Sequence, residues 1–162
     1  MSTPSIDQII TDIEYREGGS KATTGPDGRT QYGISEKSNP EAWLDGKVTE
    51  SEARFIYENK YVKNPGFDKI ADRHLQAQLI DFGVNSGPSV AIMKLQEILH
   101  VTVDGVLGPE TLGALKGITA DEVNTLLVVS RIKMICRIVQ KNPSNLRFLS
   151  GWCNRALEFI IR

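Results

Sequence analysis

Cysteine and histidine are scarce, with two of each in 162 residues. Cys136 and Cys153 do not make a disulfide framework, and no Cys/His cluster has zinc-ligand spacing. Both cysteines therefore read as small core residues, and neither a metal nor another cofactor is expected. His74 and His100 stand alone and read as packing or surface histidines. Net charge is nearly absent as well. A formal charge of -1 gives no overall electrostatic reason to expect a nucleic acid partner. Long hydrophobic runs are missing: the most apolar stretch, Val123 to Val139, is interrupted by Arg131, Lys133 and Arg137. Stable membrane insertion is not expected, and the stretch reads as a buried central helix. Met1 to Asp12 lacks a basic segment followed by an apolar run, so no secretory signal is expected and synthesis in the cytoplasm is. No low-complexity segment or internal repeat is evident.

What remains is the composition of a globular chain, 40% hydrophobic and 24% charged. Its length predicts one domain over residues 1–162, a monomer, able to bury about two-thirds of its unfolded surface. The charge is unevenly spread. From Arg131 to Arg162 seven basic residues face the single acid Glu158, so the first 130 residues carry a net -7. Solvated faces of two C-terminal helices account for this cluster; a patch for an anionic partner is the competing reading.

Local signals divide the chain into about seven helices. Ser5 as cap with Gln8 completing a capping box, and Gly18-Gly19 as the stop, predict a helix over Ile6 to Glu17. Thr49 with Glu52 opens a second, through Tyr61. Leu75 to Val84 forms a third, and Pro88 starts a fourth, to about Leu99. A short one follows Gly108-Pro109, and Thr119 with Glu122 caps the long apolar helix. Asn142-Pro143 precedes the last, about Leu146 to Ile161. Between the first two helices, Gly25-Pro26-Asp27-Gly28 and the alternation of Thr30, Tyr32 and Ile34 predict a hairpin or short meander. The class is α+β, mainly α-helical.

On a helical wheel at about 100° per residue, Ile6, Ile9, Ile10 and Ile13 form the apolar stripe, and Glu17 falls within about 30° of its centre. Burial and the negative end of the helix dipole both favour the protonated acid, so Glu17 is expected to donate a proton near neutrality. The alternative is that it reaches past the stripe into water or pairs with an arginine. The polar hairpin that follows supplies a second carboxylate, Asp27, and a hydroxyl, Thr30. A protonated acid opposite an ionised one is what glycoside hydrolysis needs.

Four motifs in order, Glu17-Gly18-Gly19, Asp27 to Ile34, Asp81 to Gly87 and Gly151-Trp152, resemble glycoside hydrolase family 108. Leu95-Gln96, Asp104 to Thr111 and Ala114-Leu115 are similar to the peptidoglycan-binding helical segment that usually completes such proteins. The resemblance implies a lysozyme-like fold, with residues 1–88 carrying the catalytic helix and hairpin and 89–162 the binding-like helices. It implies a peptidoglycan N-acetylmuramidase, of which many are phage endolysins, and it assigns the acid role to Glu17. The family has an aromatic where Ser20 stands, and an aspartate five residues before the threonine, where Gly25 stands. Asp27, three before Thr30, is expected to take that role; the alternative is that the enzyme works without that aspartate. In this mechanism Glu17 protonates the glycosidic oxygen while Asp27 and Thr30 position or activate water. A carboxyl separation of roughly 6.5–9.5 Å predicts inversion, and a closer pair retention.

Gln31, Tyr32 and Asn85 are candidate substrate contacts. Tyr32 also reads as a cross-strand packing residue, Asn85 as the cap of the helix at Pro88, and Trp152 as core on the stripe Leu149, Trp152, Ala156, Ile160. A lytic transglycosylase, working with one glutamate and forming 1,6-anhydro products, is the second enzymatic reading. A non-catalytic peptidoglycan-binding protein, and a host-interaction protein using the basic C-terminal helices, are the others. The muramidase reading makes bacterial peptidoglycan in the periplasm or cell wall the partner. Without a leader, something else must release it, and a separate holin and other non-signal routes both fit.

Overall fold

The computed structural model describes residues 4–25 and 28–160, which fall into two units, Met1–Asp68 and Lys69–Arg162. Among the described residues are seven α-helices and a three-stranded antiparallel sheet, the mainly helical α+β class expected. None of these helices is long and apolar enough to cross a membrane.

The first unit begins with α1 (Ile6–Arg16). Ser5 Oγ accepts from the Gln8 backbone N–H at 3.1 Å, but the Gln8 side chain donates to Asp12 instead of completing a capping box. Ile9, Ile10 and Ile13 are buried. Three strands follow as a meander: β1 (Thr23–Gly25), β2 (Gly28–Gln31) and β3 (Ile34–Ser35), in that spatial order. α2 (Glu50–Tyr57) starts with the complete Thr49–Glu52 capping box. It stops as an α-helix before Tyr61 because the chain widens into a π-helical turn over Glu58–Lys63. Such wide turns recur at functional sites. Trp43, Val48, Ala53, Tyr57, Val62 and Phe67 complete the apolar interior of this unit.

The second unit holds α3 (Arg73–Ser86), α4 (Pro88–Leu99), α5 (Pro109–Ala114), α6 (Ala120–Lys141) and α7 (Leu149–Leu157). α3 is central, with nine consecutive buried residues from Leu75 to Gly83. Two of the buried groups are charged. Asp81, 1% exposed, accepts from Arg155 Nε at 3.0 Å and from Arg131 NH2 at 2.9 Å. The Arg131 guanidinium lies over the Phe82 and Phe159 rings, 4.8 and 5.7 Å from their centroids. Gln96 anchors the loop after α4: its Oε1 accepts from the Asp104 and Gly105 N–H groups, and its Nε2 donates to Asp104, Val106 O and Thr111.

This half differs from expectation at four places. The apolar stretch of α6 is buried on one face only, through Val123, Leu127, Val128, Arg131 and Ile135, while Leu126, Val129 and Ile138 face solvent. Cys136 lies on that outer face, exposed, and is not a core residue. Trp152 is half-buried, stacked on Phe148 at 5.5 Å, and of its stripe only Ala156 is fully buried. α7 is shorter than expected because Pro143–Phe148 winds as a 3-10 turn.

Candidate active site

The end of α1 is a left-handed stop. Gly18 and Gly19 have φ of +99° and +58°, and the Gly19 N–H reaches back to Glu14 O at 2.9 Å, the six-residue closure of a Schellman cap. Glu17 is the C-cap residue, its N–H donating to Ile13 O at 2.9 Å, and it is half-buried. The carboxylate of α1 that enters the interior is Glu14, 5% exposed. Burial raises its pKa above the usual carboxylate value, and Arg54, whose NH1 donates to Glu14 at 3.0 Å, pulls it back down. Arg54 also holds Asp7 and Thr11, so Glu14 is part of the tie between α1 and α2.

The meander is fastened to this helix end. Gln31 pairs with Ile34 across a two-residue turn in which Tyr32 and Gly33 have φ of +51° and +74°. Positive φ at both central positions is the type I′ geometry that suits the twist of paired strands. Tyr32 therefore belongs to a turn, and the expected strand alternation through it is not what forms. A left-handed aromatic is an uncommon conformation held by its surroundings. Three bonds do the holding: Tyr32 N–H to Gly19 O at 2.9 Å, Gln31 Nε2 to Ser20 O at 3.0 Å, and Tyr57 Oη to Tyr32 O at 2.9 Å. Gln31 Oε1 also accepts from Val48 N–H at 3.0 Å, so both ends of this amide are engaged by backbone.

Gly33 closes the arrangement. A methyl group there would collide with Tyr57 Oη and come within 2.7 Å of Glu17 Cβ and 3.1 Å of Cγ. The turn backbone thus rests on the stem of Glu17, which fixes the direction of its carboxyl. Tyr61, in the π turn, is the next neighbour: its ring lies 5.7 Å from that of Tyr57, and burial together with the charge of Glu17 pushes its phenol up. Gly33, Tyr57 and Tyr61 were not anticipated; the available signal was the four-residue spacing of two tyrosines on one helical face.

Thr30 sits on β2, half-buried, paired with Thr23 and Ser35. Alternation puts it on the sheet face opposite Arg29 and Gln31. Arg29 grips Glu36 through two nitrogens at 2.9 and 2.7 Å, donates to Gly46 O and covers Trp43. Glu17, Gln31 and Tyr32 are therefore brought together, with Thr30 one residue before Gln31 on β2. Asp27 lies outside the described residues. Asn85 is exposed in the last turn of α3, in the second unit; α4 begins from Gly87 with no side-chain cap, so Asn85 does not serve as one.

Residues 10–87 match the model of the family Glycosyl hydrolase 108, and residues 90–157 match that of the family Predicted Peptidoglycan domain. The structure of Brucella abortus SagA is similar, with 26% sequence identity and a TM-score of 0.69 over 96% of this chain and 95% of that one. No curated protein matches. The first segment is thus similar to Glycosyl hydrolase 108 over just under half of the chain and the second to a predicted peptidoglycan domain, which together support a glycoside hydrolase acting on peptidoglycan.

Proposed function

We propose that the protein is a lysozyme-type N-acetylmuramidase, cleaving the β-1,4 bond between N-acetylmuramic acid and N-acetylglucosamine, with Glu17 as general acid. The observation that carries this reading is the seating of Glu17. A half-buried carboxylate ends α1 with its stem against the Tyr32–Gly33 turn and its charge beside Tyr61. A catalytic acid must be held in one direction and partly screened from water, and this seat does both.

In the reaction, Glu17 transfers its proton to the glycosidic oxygen as the bond from that oxygen to the anomeric carbon breaks, and positive charge develops on the muramic acid ring. Asp27, next in sequence to Gly28 of β2, is assigned the second carboxylate, taking the proton of the attacking water. Thr30 orients that water. Tyr32 is assigned to a sugar contact, whereas Gln31 serves by holding the turn. Water attack from the face opposite Glu17 gives inversion.

The test is digestion of purified peptidoglycan by the wild type and by Glu17→Gln, with mass spectrometry of the products after borohydride reduction. Reducible N-acetylmuramic ends, lost in the variant, are expected. Anhydro ends that resist reduction would make the protein a lytic transglycosylase, and no soluble product from the wild type would make it a binding protein. The lysis role implied for a phage endolysin requires in addition that co-expression with a holin, and not expression alone, clears a bacterial culture.

A further inference from the structure

The hydrolase reading leaves unused a groove of about 310 Å³ between α4 and α6, inside the second unit. One wall is apolar and wet: Leu126 and Val129 are 40% and 41% exposed, with Met134 beside them. The groove also carries three cations, Lys94, Lys133 and Arg137, and the acid Glu97. Lys94 is already held by both Glu97 oxygens at 2.7 Å, but Lys133 and Arg137 have no carboxylate partner among the described residues. With Lys141 they repeat at four-residue intervals along one face of α6, a like-charge spacing that disfavours an isolated helix. The same stretch lies within the local excess of basic residues that the fold of α6 does not neutralise.

A ligand matching this groove combines small aliphatic groups with free carboxylates a few ångströms apart. A nucleic acid backbone would use the cations and leave the apolar wall wet, and a flat anionic surface would not enter a groove. The volume is at the lower end of the range for small-molecule sites, about 300–1,000 Å³, so it takes a short peptide and not a folded partner. We propose that the α4–α6 groove binds the stem peptide of peptidoglycan, with alanine methyl groups against Leu126, Val129 and Met134 and free carboxylates against Lys133 and Arg137. This rests on peptidoglycan being the substrate. It makes the second unit a reader of the peptide while the first unit acts on the glycan.

The test uses the full chain carrying Glu17→Gln, so that turnover does not destroy the ligand, in co-sedimentation with purified sacculi at physiological salt. Sacculi are used intact or stripped of stem peptides by an amidase. Stripping is expected to weaken binding at least about fivefold, and the exposed pair Lys133→Glu with Arg137→Glu to weaken binding to intact sacculi by a similar factor. Combining the two should add little. The milder pair Lys133→Gln with Arg137→Gln, which keeps the helix-forming length, should give a smaller loss of the same kind. Unchanged binding by a folded charge-reversed variant overturns the proposal. So does an equal loss on stripped and intact sacculi, or parent binding to DNA or anionic vesicles that the reversal removes without any preference for peptide-bearing sacculi. Lys133→Glu with Arg137→Glu on the otherwise wild-type chain should still cleave peptide-free glycan at the parent rate. If the wild type cleaves nothing, the hydrolase reading fails, while the sacculus comparison still decides the groove.

Discussion

A single methyl group at Gly33 tests the candidate site. The φ of +74° is one at which an alanine costs about 1–2 kcal/mol through its Cβ. The added methyl would also collide with Tyr57 Oη and crowd Glu17 Cβ at 2.7 Å, and overpacking of this kind adds about 1–3 kcal/mol. Gly33→Ala should therefore destabilise by about 2–5 kcal/mol. At about 2–4 °C per kcal/mol for a chain of this size, thermal unfolding followed by circular dichroism should shift down by about 4–20 °C. Gly46 is the control, with φ of +83° and only the flexible Arg29 NH1 near, at 3.6 Å. There an alanine should cost the backbone part alone, about 1–2 kcal/mol. Tyr57→Phe removes the colliding hydroxyl and its bond to Tyr32 O, at about 1 kcal/mol. In that background the cost of Gly33→Ala should shrink by about 1 kcal/mol or more, since the two groups touch. Peptidoglycan turnover by folded Gly33→Ala should fall by up to about a hundredfold, because the methyl displaces the acid. Equal melting shifts for the two glycines, with no coupling to Tyr57→Phe, would refute the close approach of the turn to Glu17.

Two further outcomes follow from the buried charges. Asp81→Asn leaves the Arg131 and Arg155 guanidinium groups facing a neutral amide in the interior of the second unit, and should lower stability by about 3–5 kcal/mol in urea denaturation. Asp81→Asn matching the wild type would mean that other partners carry those cations. Glu14 makes the opposite kind of contribution. Because its pKa rises above 4.5 on folding, the native state holds a proton that the unfolded state has lost, and stability falls as pH climbs from that value through the raised one. Glu14→Gln should flatten the pH dependence of the urea midpoint over that interval; an unchanged slope would show that burial is not what raises Glu14.

What was legible in the sequence is what short stretches of chain decide by themselves. Ser5, the Thr49–Glu52 box and Pro88 mark helix starts because each satisfies, or dispenses with, orphan N–H groups within one turn. Gly18-Gly19 marks the end of α1 for the same local reason. The errors begin where the deciding partner is distant. Glu14 sits off the centre of the apolar stripe, and only Arg54, forty residues on, makes its burial tolerable. Glu17 then lies at the edge of the interior, covered by backbone from the meander. Tyr32 shows the period-two pattern of a strand, yet the Tyr57 hydroxyl and the carbonyl of Gly19 hold it in a left-handed turn.

The same logic sets which face of α6 is buried. An apolar run with three cations cannot be buried throughout, because a buried guanidinium needs a carboxylate and rings around it. Arg131 has both, through Asp81, Phe82 and Phe159, and it lies on the buried face. Lys133 and Arg137 have neither among the described residues, so the helix turns them to water and takes Leu126 and Val129 out with them. The partners available to each charge, and not the hydrophobicity of the run, set the rotation of α6 about its axis. That rotation leaves an apolar wall flanked by Lys133 and Arg137, and the groove beside α4 is its direct consequence.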